Sequence, residues 1–193
     1  MHKDYRRNKN PLRILCHEPP IITSFPLGFF NGASQEHFRG SGFVLCLNDQ
    51  HSYSGWMGIG FGTNNFVELL VVWALLYWIQ TLRIDHCHIF GDSRVVIDWL
   101  LGKKSLLAPH IQHWCDQIGD IRASLRSISF HHIYHCYNSK VDFLSKRGLG
   151  CPVGTLFFEE YVRGALVKEG NLKLFSLFPS FFSGCVGCLD AYC

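Results

Sequence analysis

The segment Phe66 to Ile79 is apolar at every position except Glu68. It is too short to cross a bilayer, which takes roughly 20 apolar residues. A helix with no polar face has to be covered on all sides. The rest of the chain must therefore supply the layers that enclose it. Hydrophobic residues make up 48% of the 193 residues and charged residues 17%, enough for one packed domain with short extensions and contrary to disorder.

The texture along the chain suggests what those layers are. Residues 1–24 are polar and proline-containing and read as an entry linker. Phe25-Pro26-Leu27-Gly28-Phe29-Phe30 is strand-like and ends at Asn31-Gly32, a turn signal. Gly42 to Asn48 and His51 to Ile59 read as two further strands, joined tightly through Asn48-Asp49-Gln50. Thr63-Asn64-Asn65 supplies polar residues to cap the apolar helix. A strand over Asp85–Phe90, a helix from Arg94 to about Leu101, a helix over Pro109–Ala123, a strand within Leu125–Tyr134 and a short amphipathic helix over Asn138–Lys146 follow. Three strands, then strands alternating with helices, predict an α/β fold. Its five-stranded mixed sheet would combine an antiparallel meander with parallel strands and be flanked by helices. Residues 149–193 form a C-terminal extension, with a helix expected over Phe157–Val167 and an apolar tail beyond.

The formal charge of +3 permits nucleic-acid binding without requiring it. The basic N-terminus is followed by no apolar run, so a nuclear or cytoplasmic rather than secreted protein is expected, with no membrane role. Cys46, Cys87 and Cys115 sit in apolar stretches and read as reduced thiols. Cys185 and Cys188 form one CxxC pair, with only Cys193 nearby to extend it, a weak zinc signal.

Three carboxylates stand at the ends of regular elements amid apolar neighbours: Glu68, Asp92 and Asp142. Each has an ordinary explanation. Glu68 could box with Asn65, Asp92 could cap a helix, and Asp142 could be a solvated acid. Four short motifs nevertheless occur in order: Phe30-Asn31-Gly32-Ala33-Ser34, Thr63-Asn64-Asn65-Phe66-Val67-Glu68, Phe90-Gly91-Asp92-Ser93 and Asn138-Ser139-Lys140-Val141-Asp142. The series resembles the ribonuclease H family, most closely its plant reverse-transcriptase-like, retroelement-derived branch. The resemblance runs from about Phe25 to Arg147, roughly two thirds of the chain.

The resemblance implies a two-metal phosphodiester hydrolase, an endonuclease that cuts the RNA strand of RNA–DNA hybrids with two Mg²⁺ ions. It carries metal-binding roles to Glu68, Asp92 and Asp142. Asn31 stands where the family has the aspartate that bridges both ions. A neutral amide offers one oxygen and no charge, so two ions are reduced to one or none and hydrolysis is weakened. His135-Cys136 replaces the family's usual Arg-Glu pair.

Ser34, Asn64 and Asn65 are the candidate contacts to 2′-hydroxyls of a hybrid, although both asparagines also suit helix capping. Lys103-Lys104 and Lys146-Arg147 could meet phosphates or simply be solvated. The short Gly102–Ser105 link leaves no room for a basic handle, so affinity should be modest and salt-sensitive. Three readings stand: a monomeric hybrid nuclease, a catalytically inactive nucleic-acid binder, and a protein-interaction module that keeps only the fold. Because asparagine before glycine is prone to deamidation, Asn31-Gly32 could also regain an aspartate by ageing.

Overall fold

A computed structural model describes residues 26–60, 62–104 and 109–174. The entry linker, the tail beyond 174 and its CxxC pair lie outside the described residues.

Strands β1 (Leu27–Gln35), β2 (Phe38–Asn48) and β3 (His51–Gly58) form the antiparallel meander. The turn after β1 falls at Glu36, whose φ of 48° is left-handed, and not at Asn31-Gly32. Asn31 and Gly32 lie inside β1, paired with Gly42 and Ser41 of β2. Their turn chemistry yields to a strand that is hydrogen-bonded along its whole length.

Helix α1 (Asn64–Thr81) follows, capped by Thr63, whose hydroxyl accepts from the Phe66 amide. Twelve of its residues are buried, including Trp73 and Trp78, so the apolar segment is indeed enclosed. Then come β4 (His86–Gly91), α2 (Arg94–Leu100), α3 (Pro109–Ser124), β5 (Ser127–His132), one 3-10 turn (His135–Tyr137) and α4 (Ser139–Gly148). Strand β4 runs parallel to both β1 and β5.

The expected helix over Phe157–Val167 does not form. That stretch makes β6 (Thr155–Val162) and the start of β7 (Ala165–Lys173), joined through Arg163 and Gly164. Phe157, Phe158 and Tyr161 have spacings that mimic a helix face. What decides is the open edge of β3, along which β6 pairs from Met57 to His51. The sheet therefore has seven strands rather than five, in the order β5-β4-β1-β2-β3-β6-β7.

Helix α1 lies on one face of this sheet with α2 and α3 packed beside it, and α4 lies against β1, β2 and β3. Val141 and Leu144 of α4 meet Val44 and Trp56 in a separate small apolar cluster. Among the described residues no helix is long and apolar enough to cross a membrane.

Candidate functional site

Two close approaches place the site. A Cβ on Gly42 would come within 2.6 Å of Leu144 Cβ and of the Ser145 amide nitrogen, so only a glycine lets α4 lie directly on β2. Asn31 is the β1 partner of Gly42 and thus sits under the same helix. On the next residue, Gly32, a Cβ would stand 3.0 Å from the Glu68 and Val67 side chains. That bare backbone lets α1 press against β1 where Glu68 projects.

The β1–β4 ladder ends at the Phe30–Gly91 pair, so Asn31 and Asp92 both lie one residue past it. Asn138 holds this point together. Its Nδ2 donates to the Phe30 carbonyl at 2.9 Å and to Asp92 Oδ1 at 3.1 Å, and its side chain is buried. It joins β1, β4 and the start of α4. The sequence shows Asn138 only as the first residue of a motif, an amide just before a helix, and its tie to Asp92 emerges in the fold.

Asn31 is 5% exposed, and its Nδ2 faces Asp142 Oδ1 at 3.4 Å. Asp142 Oδ2 receives Lys146 Nζ at 2.6 Å, one helical turn on. Asp92 Oδ2 receives His135 Nδ1 at 2.5 Å. Asp92 is therefore not a helix cap; Ser93 occupies that position in α2. Nor does Glu68 box with Asn65, since Thr63 supplies the cap. Instead, Glu68 Oε2 is fully buried without a hydrogen-bond partner. Burial, and next the negative charge of Asp92, push the Glu68 pKa up to about 8.

The structure thus gathers Asn31, Glu68, Asp92 and Asp142 about the middle of β1 and the carboxyl end of β4. Among the described residues, however, no group of three or more His, Cys, Asp or Glu side chains could hold a metal ion. A bridged pair of dications does not fit, because the central position offers an amide whose N–H points at Asp142. The residues that would hold a single Mg²⁺, an ion that binds through one or two carboxylates and keeps several waters, are Glu68, with its orphaned oxygen, and Asp92, whose oxygens meet His135 and Asn138 here.

Ser34 and Asn64 are hydrogen-bonded to each other at the exposed rim, and Asn65 is half-buried beside them. Three of the four basic residues considered for phosphates are engaged: Lys104 with Asp98 at 3.1 Å, Lys146 with Asp142, and Arg147 with Glu159 at 3.0 Å. Arg147 also lies over the Trp56 ring, 3.6 Å from its centroid. Two exposed aromatics escaped the sequence reading, Phe143 (67%) beside Asp142 and Tyr134 (45%) beside His135.

The pattern described as reverse transcriptase-like matches residues 29–148. No curated protein matches the chain. Among solved structures, ribonuclease H1 of the archaeon Halobacterium salinarum is similar at 24% identity and a TM-score of 0.61, over 64% of this chain and 96% of that one. The N-terminal ribonuclease H domain of a Mycobacterium tuberculosis protein is 19% identical with a TM-score of 0.58, over 65% and 94%. LC11-RNase H1, isolated from compost by a metagenomic approach and solved in complex with an RNA/DNA hybrid, is 18% identical with a TM-score of 0.60, over 65% and 96%.

Proposed function

Because the chain belongs to the reverse transcriptase-like family and has the ribonuclease H fold, we propose that it binds RNA–DNA hybrids and that its hydrolysis of the RNA strand is severely weakened. The observation that carries this reading is the amide of Asn31 directed at Asp142 where the family has a bridging carboxylate.

Binding is supported by what the site keeps. Ser34 and Asn64 form a polar pair at the rim, where hydroxyl and amide groups can exchange their mutual hydrogen bond for contacts to 2′-hydroxyls. Phe143 and Tyr134, each next in the chain to a residue of the site, offer exposed rings for stacking or sugar contact. Asn138 holds Asp92 in place, and His135 and Lys146 temper the negative charge that a phosphate would otherwise meet.

The family uses Mg²⁺. Glu68 and Asp92 would hold one ion, which when bound supplies Lewis-acid polarisation of a phosphate and lowers the pKa of a coordinated water. The chain's own residues orient the duplex and, with no ion bound, hold Glu68 in its protonated, neutral form. Such a centre can bind a phosphate backbone without completing the second half of a two-ion displacement.

The test is a binding comparison. Fluorescence anisotropy at low salt, with Mg²⁺, should rank a labelled RNA–DNA hybrid above double-stranded DNA of the same sequence, with affinity falling steeply as salt rises. Equal binding to both duplexes, or none, would instead favour a protein-interaction module.

A further inference from the structure

We propose that His88 and His131 form a site for a borderline divalent transition-metal ion, such as Zn²⁺, on the outer face of β4 and β5. This site is separate from the carboxylates described above.

Along β4 the side chains alternate: Cys87 and Ile89 enter the main core, whereas His88 lies on the other face. Along β5, Ile128 and Phe130 enter that core, and Ser129 and His131 face the other way. The parallel register sets His88 opposite Ser129 and Phe90 opposite His131. Helix α4 lies against β1, β2 and β3 and leaves this pair of strands to one side.

The two imidazoles converge on one point. His88 Nδ1 is 2.6 Å from Ser129 Oγ, and His131 Nε2 is 2.8 Å from the same oxygen. The hydroxyl carries a single hydrogen, so it donates to one ring and accepts from the N–H of the other, whose proton must shift to its second nitrogen before both face a metal. Ring centroids are 5.7 Å apart. Zinc–imidazole bonds are about 2.0–2.1 Å long, so an ion bound to both rings requires Ser129 to turn its hydroxyl aside and the rings to close modestly on the place it leaves.

The His131 ring is held for such a role. It stacks on Phe90 at 5.1 Å and 24°, and Phe90 in turn stacks on Phe29 at 5.1 Å and 21°. Burial, and next the neighbouring His88, lower the His131 pKa, which keeps a lone pair available at neutral pH. Imidazole selects zinc, copper or nickel over Mg²⁺, a hard ion that takes oxygen ligands. The two kinds of ion would therefore not compete. With two protein ligands, the remaining positions are left to water or an incoming donor.

Zn²⁺ titrated into the full chain with Mg²⁺ in excess, followed by histidine ring ¹⁵N chemical shifts, tests this. The expected result is a joint, saturable shift of His88 Nδ1 and His131 Nε2. His88→Gln or His131→Gln should weaken binding at this position at least tenfold while leaving the metal-free circular dichroism spectrum unchanged. Ser129→Ala should change it by less than about threefold. The proposal is overturned if the two rings shift independently, if they stay unmoved while other histidines or thiols take the zinc, or if Ser129→Ala abolishes the response.

Discussion

Asn31 Nδ2 meets Asp142 Oδ1 across 3.4 Å, so an amide rather than a second acid faces α4 beneath its first turns. With a carboxylate in that position the two acids would repel, and either a shared proton or a cation between them would relieve it. The amide removes the repulsion and the need for the ion together.

Asn31→Asp should reverse both. With Mg²⁺ present, cleavage of the labelled RNA strand of a hybrid should rise at least tenfold over the wild type, in line with the roughly 10–100-fold that lesser metal-site changes produce. Without Mg²⁺ the variant should melt at a lower temperature than the wild type, and the ion should restore it. A variant that binds hybrid, melts normally without Mg²⁺ and cuts nothing with it would end the weakened-nuclease reading.

Glu68 gives the protein a pH-dependent stability. Its carboxyl titrates near 8 in the fold against an ordinary 4.5, so the folded state keeps a proton that the unfolded chain releases. The contribution is whole below about pH 4.5 and is lost as pH rises through 8, a span worth on the order of 5 kcal/mol at most. Glu68→Gln should flatten the urea midpoint between pH 5 and 8.5 and make the protein more stable than wild type above pH 8. Mg²⁺ should raise the wild-type midpoint at pH 8 and leave that of Glu68→Gln where it was.

Much of this was legible in the sequence because its signals were local. Thr63 before an apolar run, the Asp49-Gln50 turn and the Gly102 stop each act over a few residues, and each falls where expected. The order of the four motifs was equally readable. What escaped depends on partners far along the chain. Asn31-Gly32 reads as a turn until β2 pairs with it, and Phe157–Val167 reads as a helix until β3 offers its edge. Nor could the sequence reveal that His135 and Asn138 hold Asp92, since they lie 43 and 46 residues from it.

Gly42 tests how tightly α4 must lie. In Gly42→Ala the added carbon meets Leu144 Cβ and backbone nitrogen of Ser145 at 2.6 Å, and backbone cannot swing aside. Such overpacking typically costs about 1–3 kcal/mol. The urea midpoint should fall accordingly, and amide exchange should speed up in α4 more than in α1. Gly119 in α3 is the control, because a Cβ there meets nothing within 4 Å. Gly119→Ala should stabilise by about 0.5–1 kcal/mol through helix propensity. If both substitutions behave alike, close packing of α4 on β2 is not what positions Asp142.

The same ladder bears on whether ageing could regenerate an aspartate at position 31. Deamidation needs the Gly32 nitrogen to attack the Asn31 side-chain carbon, which requires a backbone rotation away from the extended form. Asn31 and Gly32 are both paired with β2, and the Asn31 side chain is 5% exposed. Folded protein aged at pH 8 should therefore retain asparagine by peptide mass spectrometry, whereas the same protein held in urea should convert. Equal rates in the two states would mean that β1 opens locally at Asn31, and a slow, age-dependent gain of nuclease activity would then follow from the fold itself.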